Sequence, residues 1–316
     1  MLVIKEDNLE KFLDKLKEKF EFIDIRKDSS DGGLPFKKYF FPPVQEIFST
    51  SGSPTSKKSK SDFVLYGLDL PDLEALTQLD EIMEKPHEDY FYFQRRGQSI
   101  IIGLIRENMD IVPGGDIVLE HLNSNKYKVW QNTTKGKNLI KKNNSYFSAE
   151  GGEITEEKPP QIPKNESLGY WQKTMRSMLL DPELLAEVVE WSYGHEIWDK
   201  LMKQCLGCGI CTYVCPLCYC FSIEDKVGLD DKCTRCRKWT ACTLPEFARI
   251  AGGHSFRPTL KERYYNWFYH KFVRAYKEFG KSQCVGCGRC QAFCPAKIDI
   301  QEILKTILED YKKKDE

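Results

Sequence analysis

Near the N-terminus, hydrophobic residues recur at three- and four-residue intervals. Leu9, Phe12, Leu13, Leu16 and Phe20 share one face of a helix, and Asp7-Asn-Leu-Glu10 offers it a capping-box-like start. Glu21-Phe-Ile-Asp-Ile-Arg26 reads as a strand. The pattern then changes. Phe63-Val-Leu-Tyr-Gly-Leu68 and Ser99-Ile-Ile-Ile-Gly-Leu-Ile105 are apolar runs, which suits strands covered on both faces. Pro71 to Glu84, between them, has helical spacing, and Ser49 to Ser61 is a polar loop rich in Ser and Lys. This alternation predicts an N-terminal α/β domain over residues 1–147. Residues 148–168 hold Gly151, Gly152, Pro159, Pro160, Pro163 and a cluster of glutamates, and read as a linker.

Past the linker the helical period dominates. Asp181-Pro182 supplies an N-cap and a first-turn proline to a helix running through Leu184, Leu185, Val188 and Val189. Thr259-Leu-Lys-Glu262 is a capping box. It opens a stripe of Leu260, Tyr264, Phe268, Phe272, Ala275 and Phe279, which Gly280 ends. The fold expected is α+β: the α/β domain, then an α-helical domain over residues 169–316.

Bulk properties narrow the class. The 316 residues fit two domains, and the 41% that are hydrophobic can fill real cores. No apolar stretch is long enough to span a membrane. Met1-Leu-Val-Ile-Lys-Glu-Asp lacks the cationic and apolar regions of a leader, so a cytoplasmic protein is expected. The net charge of zero hides an asymmetry. Residues 1–199 carry 26 Lys and Arg against 34 Asp and Glu, a net −8, and residues 200–316 carry 21 against 13, a net +8. The basic half is either solvated surface or an offset to anionic groups that also steers an acidic partner. Nucleic-acid binding is not expected, since no recognition motif is present.

All thirteen cysteines lie after position 204. Eight of them form a repeat, Cys205-Leu-Gly-Cys208-Gly-Ile-Cys211-Thr-Tyr-Val-Cys215-Pro216 and Cys284-Val-Gly-Cys287-Gly-Arg-Cys290-Gln-Ala-Phe-Cys294-Pro295, with seven of twelve positions identical. This C-x2-C-x2-C-x3-C-P run is the bacterial-type [4Fe-4S] ligation pattern. Three cysteines on one loop reach three irons. The fourth lies beyond the loop and, in two-cluster ferredoxins, ligates the other cluster. By that crossed rule one cluster takes Cys205, Cys208, Cys211 and Cys294, and the other takes Cys284, Cys287, Cys290 and Cys215. Zinc favours two separate pairs over a run of four, and disulfides suit small secreted domains. The readings that remain are redox ones, in a reducing, anaerobic setting. The motifs begin 79 residues apart, too far for a compact ferredoxin, and this points to a helical variant.

Five cysteines belong to neither repeat: Cys218, Cys220, Cys233, Cys236 and Cys242. Four of them would suffice for a third [4Fe-4S] cluster or a zinc ion. Arg235, Arg237 and Lys238 lie among them and favour thiolates. A redox-active disulfide and plain buried thiols are the other readings.

From Cys205 onward the chain resembles the iron–sulfur β subunit of cytoplasmic sulfhydrogenases and its relative, the iron–sulfur subunit of anaerobic sulfite reductase. The resemblance rests on both motifs, Pro216-Leu-Cys218-Tyr-Cys220-Phe221, Arg237-Lys-Trp-Thr-Ala-Cys242, Ala251-Gly-Gly-His-Ser-Phe-Arg-Pro258 and Glu262-Arg-Tyr-Tyr-Asn-Trp-Phe-Tyr-His-Lys271. Lys37-Lys-Tyr-Phe-Phe-Pro-Pro43 and Val64-Leu-Tyr-Gly-Leu-Asp-Leu-Pro-Asp-Leu73 are similar to family segments more loosely, with Pro71 where the family has cysteine. The resemblance implies a relay subunit. Its partners would be a flavin subunit of diaphorase type that exchanges hydride with NAD(P)H, and a catalytic subunit. That catalytic subunit would be a [NiFe] hydrogenase or a sirohaem sulfite reductase, and soluble ferredoxin is a further partner. Alternatives are a subunit that uses the extra cysteines to reduce disulfides or polysulfides, a heterodisulfide-reductase-like relay, and a scaffold whose N-terminal domain docks the catalytic subunit.

Other residues carry two readings. His254 and His270 either donate N–H to cluster sulfur or are satisfied core histidines, and core is the simpler. Arg257, Arg263 and Lys271 read as structural or solvated contacts, and Arg95 and Arg96 as surface charge. No Walker loop, dinucleotide fingerprint or nucleophile elbow is present, so no nucleotide or flavin site is expected.

Overall fold

The computed structural model describes residues 1–27, 34–50, 62–106, 113–123, 125–150, 170–228 and 232–314. Most of the expected linker at 148–168 and of the polar loop at 49–61 lies outside the described residues. The chain divides into two compact units: Met1–Phe40 with Lys57–Leu168, and Phe41–Ser56 with Gly169–Glu316. The strands are β1 (Leu2–Lys5), β2 (Glu21–Asp24), β3 (Val44–Ser49), β4 (Phe63–Leu68), β5 (Ser99–Ile105), β6 (Ile117–Asn123), β7 (Lys126–Gln131), β8 (Ser148–Ala149), β9 (Phe221–Val227) and β10 (Cys233–Trp239).

The first unit is a seven-stranded mixed sheet in the order β2-β4-β5-β6-β7-β1-β8. β2, β4, β5 and β6 run parallel, and β7, β1 and β8 continue antiparallel. Every residue of β4 is buried, as its unbroken apolar run requires. The helix Leu70–Glu84 follows, capped by the Asp69 side chain, which accepts from the Asp72 N–H. The helix Glu6–Lys19 buries Leu9, Phe12 and Leu16 against the sheet core. Its start differs from the capping box expected at Asp7. Strand β1 runs directly into the helix, Lys5 is the N-cap, and no side chain caps it. Glu6 and Asp7 instead place negative charge in the first turn, where the helix dipole favours it. Arg96 is not surface charge either: with Tyr92 it binds Asp80.

The second unit is helical around one hydrophobic core in which Trp198, Tyr264, Trp267, Phe268 and Phe272 pack with Leu304 and Ile307. Pro182–Trp191 and Ile197–Gln204 lead to the first cysteine motif, and Ile300–Lys313 follows the second. Asp181 caps the first of these helices by accepting from the Leu184 N–H. The stripe helix starts at Leu260 with a complete Thr259–Glu262 capping box. It passes through a π-helical turn at Tyr269–Arg274 and ends at Gly280, whose φ is +67°. This unit is not wholly helical. β3, β10 and β9 form an antiparallel sheet between the two motifs in sequence, with β3 supplied from residues 44–49.

Candidate iron–sulfur centre

The two motifs fold the same way. Gly207 and Gly286 have φ of +64° and +66°, and Gly209 and Gly288 both have +77°. A side chain is strained in this left-handed region, so the loop requires glycine at both positions. Each second glycine caps a single helical turn, Ile210–Tyr213 or Arg289–Ala292. The third cysteine rides on that turn and the fourth lies past its end. The two turns pack against each other.

This pairing carries each fourth cysteine away from its own loop. One cavity is lined by Cys205, Cys208, Cys211 and Cys294, with Cys290 at its wall. A second is lined by Cys215, Cys284, Cys287 and Cys290. Backbone N–H groups reach sulfur in both motifs, from Gly207 to Cys205 and from Ile298 to Cys294, each at 3.4 Å. Burial pushes the Cys211 thiol up to about 12 and the Cys287 thiol up to about 11, and raises Cys205, Cys284 and Cys290 as well. Sulfur groups buried in this way favour neutral thiols until a cation displaces the protons.

The walls suit an anionic sulfur-rich group. Trp267 Nε1 and Thr243 Oγ1 are buried without a hydrogen-bond partner among the described residues, and both residues line the first cavity. Buried donors left unpaired call for an acceptor. At the second cavity Lys271 is 2% exposed and donates to Cys215 Sγ at 3.2 Å and to the Gln283 carbonyl at 2.9 Å. Burial opposes its charge, but Cys215, Cys218, Cys284 and Cys290 outweigh that and raise its pKa. Among the described residues no three His, Cys, Asp or Glu could hold a single metal ion.

The remaining five cysteines fall in three places. Cys218 is buried on Lys271's side, its N–H reaching the Cys215 carbonyl at 3.4 Å. Cys242 is hydrogen-bonded to Cys220 and keeps its proton. Both line a cleft of about 960 Å³ with Tyr219, Arg257, His270 and Arg274. Cys233 and Cys236 lie on β10, an extended strand, so about 10 Å separates their backbones where a chelating pair would need a turn.

His270 is mostly buried. Burial first, then Arg274 and Lys271, lower its pKa to about 4. Its contact is the Tyr219 hydroxyl at 3.5 Å. His254 is exposed, which corrects its expected place in the core. Arg263 is a structural contact, donating to the carbonyls of Thr243, Arg257 and Pro258. Lys271, read from sequence as a structural or solvated contact, is a buried cation at the second cavity, and that role is what the sequence reading missed.

Residues 204–298 match the family described as a 4Fe-4S dicluster domain. The fold and the site thus define the class: an iron–sulfur protein with a dicluster module at its C-terminal end, preceded in sequence by a mixed α/β unit. Along most of its length the chain is similar to sulfhydrogenase 2 subunit beta of Pyrococcus furiosus, with 28% identity over 289 residues, 87% of this chain and 83% of that one. No solved structure matches. Among the described residues no helix is long and apolar enough to cross a membrane.

Proposed function

We propose that the chain is a cytoplasmic electron-transfer subunit. It would hold one [4Fe-4S] cluster on Cys205, Cys208, Cys211 and Cys294, and a second on Cys284, Cys287, Cys290 and Cys215. The observation that carries this reading is the shared wall, since Cys290 lines both cavities. Bound clusters would supply one-electron redox chemistry. The chain's part is to exclude water with Tyr264, Trp267 and Ile300, to donate N–H groups to sulfur, and to fix the spacing. The partners proposed are a flavin subunit that exchanges hydride with NAD(P)H, a [NiFe] hydrogenase as catalytic subunit with a sulfite reductase next, and soluble ferredoxin. The first unit is proposed to dock the catalytic subunit. Anaerobically prepared protein should contain about eight irons per chain and give EPR signals on reduction. Colourless protein with zinc in their place would end this reading, as would turnover of hydrogen, sulfite or NADPH by the isolated chain.

One observation favours a second reading. The Cys220–Cys242 pair lines an open cleft with two arginines, which suits a thiol site acting on sulfur–sulfur bonds. Cys220→Ser that retains all iron but abolishes disulfide or polysulfide reduction in the assembled complex would support it. Loss of iron would make Cys220 a ligand instead.

A further inference from the structure

The two cavities differ in charge. No charged side chain lines the first, and Lys271 lines the second. Among the described residues Lys271 has a sulfur, a carbonyl and the Trp267 ring as partners, the ring centroid 5.3 Å from its ammonium. No carboxylate is among them. A buried ammonium without a counter-ion costs several kcal/mol. The anion that compensates it here must be the sulfur set of the second cavity. A second cation stands on the same side: Arg289 occupies the motif position that Ile210 occupies in the first repeat, and it is the leading charge acting on Cys287. At the first cavity the buried Arg263 acts on Cys205, but more weakly than Cys208 and Cys294 do, and its N–H groups are taken by the carbonyls of Thr243, Arg257 and Pro258.

We infer that Lys271, assisted by Arg289, holds the second site at a higher reduction potential than the first, so that a single electron entering the pair rests on the Cys215 side. This rests on the proposed function. The reason is electrostatic. Reduction adds one negative charge, and a fixed cation inside a low-dielectric wall stabilises that charge far more than water-screened surface cations do. Lys271 also acts on Cys211, but there Cys205 and Cys208 come before it, whereas at Cys284 it is the leading charge. Lys271 is a positioning residue. It accepts no electron itself and sets where the electron sits.

The test is an EPR-monitored redox titration of the anaerobic full-length protein, with iron content measured in parallel. The wild-type protein should show two separated one-electron steps. Lys271→Gln keeps a hydrogen-bond donor and removes the charge. It should retain eight irons and lower the upper step by at least tenfold in its reduction equilibrium, about 59 mV, while moving the lower step less. Lys271→Arg should restore most of the shift. Arg289→Ile makes the second motif read like the first on a half-buried rim. It should lower the same step by less, and it carries the test if Lys271→Gln sheds iron. Full iron content with the upper step unmoved in Lys271→Gln, or in Arg289→Ile should Lys271→Gln shed iron, would overturn the inference and leave the proposed function standing. Wild-type protein without iron would sink both.

Discussion

The two cysteine cavities share a loop, a pair of left-handed glycines and a helical turn, yet their walls are made of different things. The first offers neutral donors, the Trp267 indole and the Thr243 hydroxyl. The second offers a whole positive charge on a side chain with 2% of its surface exposed. A repeat of seven identities in twelve positions therefore sets the loop geometry and leaves electrostatics to the positions that differ and to residues outside the repeat. Lys271 comes from the stripe helix, more than a dozen residues before the motif it serves.

The comparison can be broken first at the ligands. If the fourth cysteines cross, Cys294→Ser should behave like Cys205→Ser and Cys215→Ser like Cys284→Ser, each pair losing the same EPR signal and up to four irons. Grouping by motif instead of by cavity would break the symmetry on which the comparison stands. Next in size is an acid effect at His270, beside Lys271 in sequence, where burial first and then Arg274 and Lys271 oppose a further positive charge. His270 has its folded pKa lowered to about 4 from the ordinary 6.5. Stability is therefore complete above the unfolded pKa and falls as pH drops from about 6.5 towards 4, because only the unfolded chain takes up the proton. The loss should be on the order of 3 kcal/mol. His270→Gln should flatten that part of a pH series of denaturant midpoints, compared with wild type.

The loops can be set against each other by glycine substitution. A Cβ at Gly209 would stand 2.7 Å from the Ala241 Cβ, which cannot swing away, whereas one at Gly286 would meet the flexible Arg176 side chain at 3.1 Å. Gly209→Ala should cost about 2 kcal/mol and Gly286→Ala about 1, both bearing the left-handed penalty. Thermal melts of the two variants check the order. The smallest effect expected is that of Trp267→Phe, which removes a neutral donor at the first cavity. It should lower the lower redox step by less than tenfold, under about 59 mV. A shift larger than that of Lys271→Gln would reverse the comparison.

That the motif cysteines gather around two cavities was legible because their grouping follows from local spacing. The eight motif cysteines, the capping box at Thr259 and the end at Gly280 are local features, and local rules find them. The uninterrupted runs of β4 and β5 were legible for the same reason. What escaped depended on tertiary context. Lys271 reads from sequence only as a structural or solvated contact, and its place at the second cavity depends on the π-helical turn at Tyr269–Arg274, because the extra residue in that turn rephases the stripe. β9 and β10 escaped because the cysteines of β10 drew a metal reading, while Phe221, Ile223 and Val227 alternate on a strand that remains largely exposed. Asp7 misled because a capping box is a sequence pattern, whereas the start of that helix is set by the strand feeding it.

Strand β3 belongs to the second unit although its residues come from the first third of the chain, and it pairs with β10 from Val44↔Lys238 to Ser49↔Thr234. No single cut therefore separates the halves. A shortened protein beginning after residue 150 would leave one side of β10 with bare N–H and C=O groups, an invitation to stick to its neighbours. Its failure to assemble would then say nothing about docking. Only a chain that keeps residues 41–56, tethered ahead of position 169, would be a fair stand-in for the iron–sulfur half.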